Sequence, residues 1–277
     1  MKTNYHTHTT FCDGKNSVEE MVLSAIEKEI DILGFSSHSM YPYASIEHIA
    51  PREFLNYVNE VKDCAKKYQD KLKIFLGFEV EYFQDLVIPK MSDYEQFGTD
   101  FLIGSVHYLR TQNGRFIVDG SVENVAKGID EHFAGNGKKA VLEYFQAERE
   151  MLLHGDFQIL GHPDLIRKTN GHLNFFNEDD DWYKNELRAC AESAKKAGVV
   201  VEINTGGMAR SYIDTTYPSP YFLSILFEKG VPVMINSDAH DAKNLDFAFE
   251  KAKDIARSIG YRELAFLESG TIKMQKF

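Results

Sequence analysis

Cysteine is scarce in this chain: Cys12, Cys64 and Cys190 are the 3 present, widely spaced and without a Cys-x-x-Cys pair. An odd number at such spacing makes neither a disulfide framework nor a thiolate metal knuckle, and reduced thiols in a cytoplasmic setting are expected. Long apolar runs are also lacking. No stretch approaches the roughly 20 residues that span a bilayer, and the polar start MKTNYH does not read as a secretory signal. Basic clusters are missing too, since 31 Lys and Arg face 42 Asp and Glu for a formal net charge of -11. Without a basic track, binding to a long nucleic acid or to an anionic membrane is disfavoured. An anionic ligand would have to be drawn in locally, by arginines or by metal ions, against the global field. No Pro/Gly/Ser linker or low-complexity break interrupts the chain, so one domain over residues 1–277 is expected.

What the chain does contain is alternation. Short β-branched or apolar runs recur as NYHTH, ILGFSSH, KIFLGFEVEY, FLIGSVHYL, FQILGHPD, VVVEINTGG and VPVMINSDAH, with AFLES as a last short candidate. Amphipathic stretches lie between them. Val18, Met21, Val22, Ala25 and Ile26 recur at helical spacing behind Ser17 and Glu20, which form an S-x-x-E capping box. Residues 52–68, 141–153, 182–197, 221–228 and 242–259 read similarly. Strand then helix, repeated along the chain, predicts an α/β fold with a parallel sheet, either open or closed into a barrel.

The polar residues decide between the two. His6 and His8, His38, Glu79 and Glu81, His107, His162, and Asp238 with His240 all fall at or near the ends of strand-like runs. In a barrel of parallel strands the chemistry sits at that rim. Taken singly, a histidine at a strand end is more often a hydrogen-bonded edge residue than a ligand. Taken together, so many imidazoles and carboxylates in one cleft would desolvate and repel one another unless cations neutralised them. Mixed imidazole and carboxylate donors suit zinc, manganese or iron, and the set exceeds one tetrahedral site, so two or three divalent ions are expected. A carboxylate such as Glu79 can bridge two ions, and a bridging hydroxide would then be the nucleophile.

The same residues, in order, resemble the polymerase and histidinol phosphatase superfamily of metal-dependent phosphoesterases. HTHTTFCDG is similar to its first motif, GFSSHS to its second, GFEVEY to its third, SVHY to its fourth, GHPD to its fifth and NSDAH to its last. The resemblance covers almost the whole chain and implies a distorted (β/α)7 barrel with a trinuclear metal centre. It places His6, His8, Glu79 and Asp238 around the more buried pair of ions, with His107 and His162 completing that cluster, and Asp13, His38 and His240 at the remaining ligand positions. Several relatives carry histidine where this chain has Asp13, an exchange of oxygen for nitrogen that bears on one ion. Cys12, beside it, is expected to be a packed thiol.

Phosphate ester hydrolysis also needs groups that hold the phosphoryl oxygens. Arg167 in GHPDLIRK and Arg210 in NTGGMAR follow strand ends on the same rim, and similar positions bind phosphate in the resembling phosphatases; Arg210 carries the stronger expectation. Asp238 or His240 is expected to relay a proton to the leaving oxygen. Glu81 and Tyr41 are candidate substrate contacts, the loop MYPYASIEH offering Tyr41, Tyr43 and Glu47 as an aromatic wall and acceptors. His48, His132, His154 and His172 read as ordinary helix or loop residues. Within the superfamily the chain resembles the stand-alone phosphatases acting on L-histidinol phosphate. The alternatives are a phosphoesterase for another small metabolite, a nucleotide or phosphotyrosine, and, from a different class, a metal-binding regulatory module without catalysis.

Overall fold

The computed structural model describes residues 1–43, 45–268 and 270–277; Ala44, in the loop after His38, and Ser269, at the end of the expected last strand, lie outside the described residues. In chain order the strands are β1 (Thr3–Asn4), β2 (Ile32–Phe35), β3 (Lys73–Glu81), β4 (Phe101–Ser105), β5 (Tyr108–Thr111), β6 (Gly114–Ile117), β7 (Ile159–Leu160), β8 (Val200–Asn204), β9 (Val233–Asn236), β10 (Glu263–Glu268) and β11 (Thr271–Lys276). The helices are α1 (Val18–Glu27), α2 (Phe54–Lys67), α3 (Val122–Phe133), α4 (Gly137–His154), α5 (Asn170–Leu173), α6 (Asp181–Ala197), α7 (Gly206–Ala209), α8 (Pro220–Glu228) and α9 (Phe249–Ile259).

The 7 strands β1-β2-β3-β4-β7-β8-β9 pair in parallel in that order. The two edges then meet beyond β1 and β9, where the His8 N–H donates to the Ala239 carbonyl at 2.9 Å and the Ala239 N–H to the His6 carbonyl at 3.2 Å. The result is the nearly closed, distorted (β/α)7 barrel. The capping box expected at Ser17 is present, with Glu20 N–H donating to Ser17 Oγ and Ser17 N–H to Glu20 Oε2.

Side chains alternate along a strand, so every second residue points into the barrel. Five strands, extended a few residues past their ends, read inward as Ile32-Gly34-Ser36-His38, Phe75-Gly77-Glu79-Glu81, Phe101-Ile103-Ser105-His107, Val200-Glu202-Asn204 and Met234-Asn236-Asp238. Each series runs from apolar to polar. The apolar members pack into one core with Tyr5 and Ile159, while the outward residues join a larger core beneath the helices. Phe101 fills the axis because Gly77 has no side chain: a Cβ there would lie 2.4 Å from its ring.

Two features differ from the sequence-based expectation. Of AFLES, the described residues Ala265 to Glu268 lie in a strand, β10, but it pairs antiparallel with β11 outside the barrel sheet. Its Ala265 and Leu267 enter the inner core, and Tyr5 Oη both accepts from Leu267 N–H and donates to Leu267 C=O, so the hairpin plugs the mouth opposite the polar rim. The β5-β6 hairpin and α3, inserted after β4, were not expected; α3 nonetheless has an N-cap at Ser121, whose Oγ accepts from Asn124 N–H. No helix among the described residues is long and apolar enough to cross a membrane.

Candidate metal centre and active site

The polar ends of the inward series meet at one point, the carboxylate of Glu79. Its Oε2 lies 3.1 Å from His6 Nε2, 3.5 Å from His8 Nε2 and 3.1 Å from His38 Nδ1. Its Oε1 lies 3.0 Å from His162 Nε2 and 3.5 Å from His107 Nε2. One carboxylate thus faces two groups of imidazoles, as a bridging ligand would. Asp238 Oδ1 adjoins His8 Nε2 at 3.3 Å and His6 Nε2 at 3.7 Å. Asp13 forms an outer cluster with His8, His38 and His240, its Oδ2 standing 3.1 Å from His240 Nε2.

Glu79 is 1 % exposed, and His6 Nε2, His8 Nε2 and Glu79 Oε2 are buried atoms with no hydrogen-bond partner among the described residues. Buried polar atoms are rarely left so. Their convergence, with imidazole and carboxylate donors mixed, fits divalent ions. The charges point the same way. Burial alone would lower the His107 pKa, but Glu81 and Glu79 raise it to about 10, whereas burial with His240 and His38 lowers His8 to about 3. Burial would raise the Glu79 carboxyl, yet His6, His38 and His107 hold it well below the usual range. Without ions the cluster stores protons on some imidazoles and withholds them from others, and ligation would release them.

Two carboxylates aim the rings. His6 Nδ1 donates to Glu202 at 2.9 Å, leaving Nε2 directed at Glu79. His107 Nδ1 lies 2.7 Å from Glu81 Oε2, and the His107 N–H donates to Glu81 Oε1 at 2.8 Å. Such outer acceptors fix the tautomer and raise the basicity of a ligating imidazole. The expectation that Glu81 contacts substrate is corrected accordingly: it points inward below His107, fully committed, and does not line the cavity. Glu202 was missed by the sequence reading, although a carboxylate within the apolar run VVVEIN was a signal for it. Asp238 carries a further mark of the site, a left-handed backbone at φ 49 that costs on the order of 1 kcal/mol.

A cavity of about 640 Å³ opens above the cluster, lined by Asp13, His38, Glu79, His107, His162, Asp238 and His240. Arg210 enters it as expected. Its Nη2 donates to Asp238 Oδ2 at 2.8 Å and its Nη1 to the Asp238 carbonyl at 3.0 Å. Gly206 permits this approach, since a Cβ there would fall 2.9 Å from Asp238 Oδ2 and 3.0 Å from Arg210 Nη2. Arg167 does not enter. It is buried behind the rim, its Nε donating to Glu178 at 2.7 Å and its Nη1 to Asp164 at 3.4 Å, and the next residue, Lys168, lines the cavity instead. The one-turn 3₁₀ helix Leu165–Arg167 sets which residue faces in, a rotation with no signature in the sequence.

Tyr41 is corrected in the same way. It stacks on His48 with ring centroids 4.6 Å apart and on Tyr108 at 5.1 Å, behind the wall rather than in it. His48, read as ordinary, does line the cavity. His154 and His172 are exposed, and His132 is half-buried against Thr111. Cys12 is packed beside His8 and Thr9, and burial with the Asp13 charge keeps its pKa up at about 11, so it stays a thiol.

Comparison with known proteins agrees with this architecture. The histidinol-phosphatase of Bacillus subtilis is 23% identical over 267 residues, covering 90% of this chain and 97% of that protein. A solved structure from Listeria monocytogenes, 26% identical, superposes with a TM-score of 0.79 over 90% of this chain and 99% of its own. The histidinol phosphate phosphatase of Lactococcus lactis, solved with zinc, L-histidinol and phosphate, has a TM-score of 0.71 at 20% identity and covers 98% of both chains. The model of the PHP domain matches residues 4–206, and the chain belongs to that family.

Proposed function

We propose that this protein is a metal-dependent phosphomonoesterase whose substrate is L-histidinol phosphate, released as L-histidinol and inorganic phosphate. The observation that carries the reading is the Glu79 carboxylate, set between two groups of imidazoles with unpartnered donor atoms, at the floor of a cavity that also holds Arg210 and Lys168. His6, His8, His107, His162, Glu79 and Asp238 would hold the inner ions, and Asp13, His38 and His240 the outer one. When bound, two or three divalent ions such as zinc, manganese or iron supply Lewis acidity and lower the pKa of a water, the source of the nucleophile.

The protein's own groups do the rest. Arg210, fixed by Asp238, offers its guanidinium to the phosphoryl oxygens, and Lys168 adds a second positive charge. Both act against a chain of net charge -11, so the attraction is local. His240, held between Asp13 and Arg210, would serve the outer ion through Nε2 while its Nδ1 faces Arg210. The substrate is supported by the relatives of similar length acting on histidinol phosphate, and a cytoplasmic enzyme fits the free thiols of Cys12, Cys64 and Cys190.

The test is phosphate release from L-histidinol phosphate, p-nitrophenyl phosphate, a phosphotyrosine peptide and a short oligonucleotide, on protein of measured metal content. Preference for histidinol phosphate is expected, with Arg210→Ala losing roughly 100-fold or more of kcat/KM while metal content is kept. Equal slow hydrolysis of every ester, or full activity in Arg210→Ala, would refute the assignment.

A further inference from the structure

The cavity has two chemically different sides. Arg210 comes from the loop after β8 and Lys168 from the loop after β7, whereas Glu47 and His48 come from the loop after β2 and Tyr108 from the hairpin after β4. In the barrel order β2 and β8 lie on opposite arcs, so Glu47 and His48 stand across the mouth from Arg210, while Tyr108, after β4, adjoins the β7 side that carries Lys168. One side carries two cationic side chains, Arg210 paired with Asp238 and Lys168 with Asp119, and suits phosphate once ions offset the carboxylates.

The other side is built for a different group. His48 is 8 % exposed; its Nδ1 is taken by Ser45 Oγ at 2.9 Å, and its Nε2 has no partner among the described residues although the ring lines the cavity. Tyr41, stacked behind it, fixes the ring plane. Glu47 N–H donates to the same Ser45 Oγ at 3.1 Å, which holds the neighbours in place. The Glu47 carboxylate accepts from Tyr108 Oη at 2.8 Å and, among the described residues, has no cationic side chain within 4.0 Å. A carboxylate outside ion-pair distance of any cation among the described residues, the Tyr108 ring that also carries the Arg115 guanidinium 5.2 Å from its centroid, and an unpartnered buried imidazole nitrogen make a receptor for an ammonium group attached to a polar or planar body.

We propose that Glu47, His48 and Tyr108 form a specificity subsite that binds the ammonium end of a phosphorylated amino alcohol. Glu47 supplies the counter-charge and His48 Nε2 a hydrogen bond to a polar atom of the substrate. Tyr108 supplies the ring beside them and holds the carboxylate. The proposal rests on the phosphomonoesterase reading above and assigns to these residues the choice among phosphomonoesters.

The experiment compares L-histidinol phosphate with the same ester lacking the amine, on wild-type protein and on Glu47→Gln, with metal content measured. Glu47 is exposed, and a glutamine oxygen can still accept from Tyr108, so the variant should fold. The expected result is a fall of about 10-fold in the ratio of kcat/KM between the amine and amine-free esters, carried by KM, the size of one lost charge-assisted hydrogen bond. A wild-type preference for the amine that survives unchanged in Glu47→Gln overturns the subsite alone, as does an equal loss on both esters. A wild-type enzyme that hydrolyses both esters without preference overturns the subsite and the histidinol phosphate assignment together. No release from either ester by metal-loaded protein removes the phosphomonoesterase reading and the subsite with it.

Discussion

Replacing Glu202 by glutamine tests the reasoning at its most buried point. The carboxylate is fully enclosed and accepts from four donors: His6 Nδ1, the His162 N–H at 3.0 Å, Asn204 Nδ2 at 2.7 Å and Asn236 Nδ2 at 2.9 Å. Glutamine keeps one oxygen and turns the other into an NH₂ donor. With the NH₂ at the Oε2 position it opposes Asn236 Nδ2, which cannot flip because Asn236 Oδ1 already accepts from Tyr5 N–H at 2.8 Å. With the NH₂ at the Oε1 position it opposes Asn204 Nδ2, pinned in the same way by Gly206 N–H donating to Asn204 Oδ1 at 2.8 Å, and it also opposes the His162 N–H. Either orientation orphans at least one buried donor and weakens a charge-assisted bond, a loss of about 3 kcal/mol.

For a chain of this length that corresponds to roughly 5 °C in melting temperature. In either orientation His6 Nδ1 keeps only one of its two acceptors, Oε1 at 3.0 Å or Oε2 at 2.9 Å, and a neutral amide raises its basicity less than a carboxylate, so metal affinity should fall about 10- to 100-fold. The assay is thermal melting of Glu202→Gln with and without ions, alongside competition for the metal by a chelator of known affinity. A variant matching wild type within about 1 °C and about twofold in metal affinity would refute the orienting role.

Arg167→Ala should lower stability by about 3 kcal/mol, because the buried Asp164 loses its cation, and leave KM for the phosphate ester little changed in denaturant melts and kinetics run in parallel. Removing the ions with a chelator should lower the melting temperature, and re-adding them should restore it, the gain reaching about 4 kcal/mol at a thousandfold excess over Kd; a melting curve indifferent to chelator would contradict the metal centre. Glu148 is fully buried beside Tyr144, and burial raises its pKa well above that of an ordinary carboxyl. The folded state therefore holds a proton that the unfolded state releases above its ordinary pKa, so this contribution is complete at low pH and is lost as pH rises toward the folded value. Glu148→Gln should flatten that decline between pH 5 and pH 8, which chemical denaturation at the two pH values would reveal.

The strand-end histidines and carboxylates were legible in the sequence because a strand has a period of two. Glu79 and Asp238 follow Phe75 and Met234 on the same inward face, and His38 and His107 follow Ile32 and Phe101, so a run that changes from apolar to polar announces a barrel with chemistry at one rim. Period alone could not say that Glu81 and Glu202 orient imidazoles, since a carboxylate on the inward face reads the same whether it faces the centre or supports it. Beyond the strands the period ends. Whether Arg167 or Lys168 enters the cavity depends on one 3₁₀ turn, and whether Tyr41 or His48 does depends on which ring packs in front of the other. The closing hairpin was equally beyond local reading, because Ala265 and Leu267 find their partners around Tyr5, at the other end of the chain. Sequence by itself determined which side chains line the inner face of each strand, a property of local backbone geometry. The tertiary structure decided which loop residues join them, because contacts between segments distant in sequence set those directions.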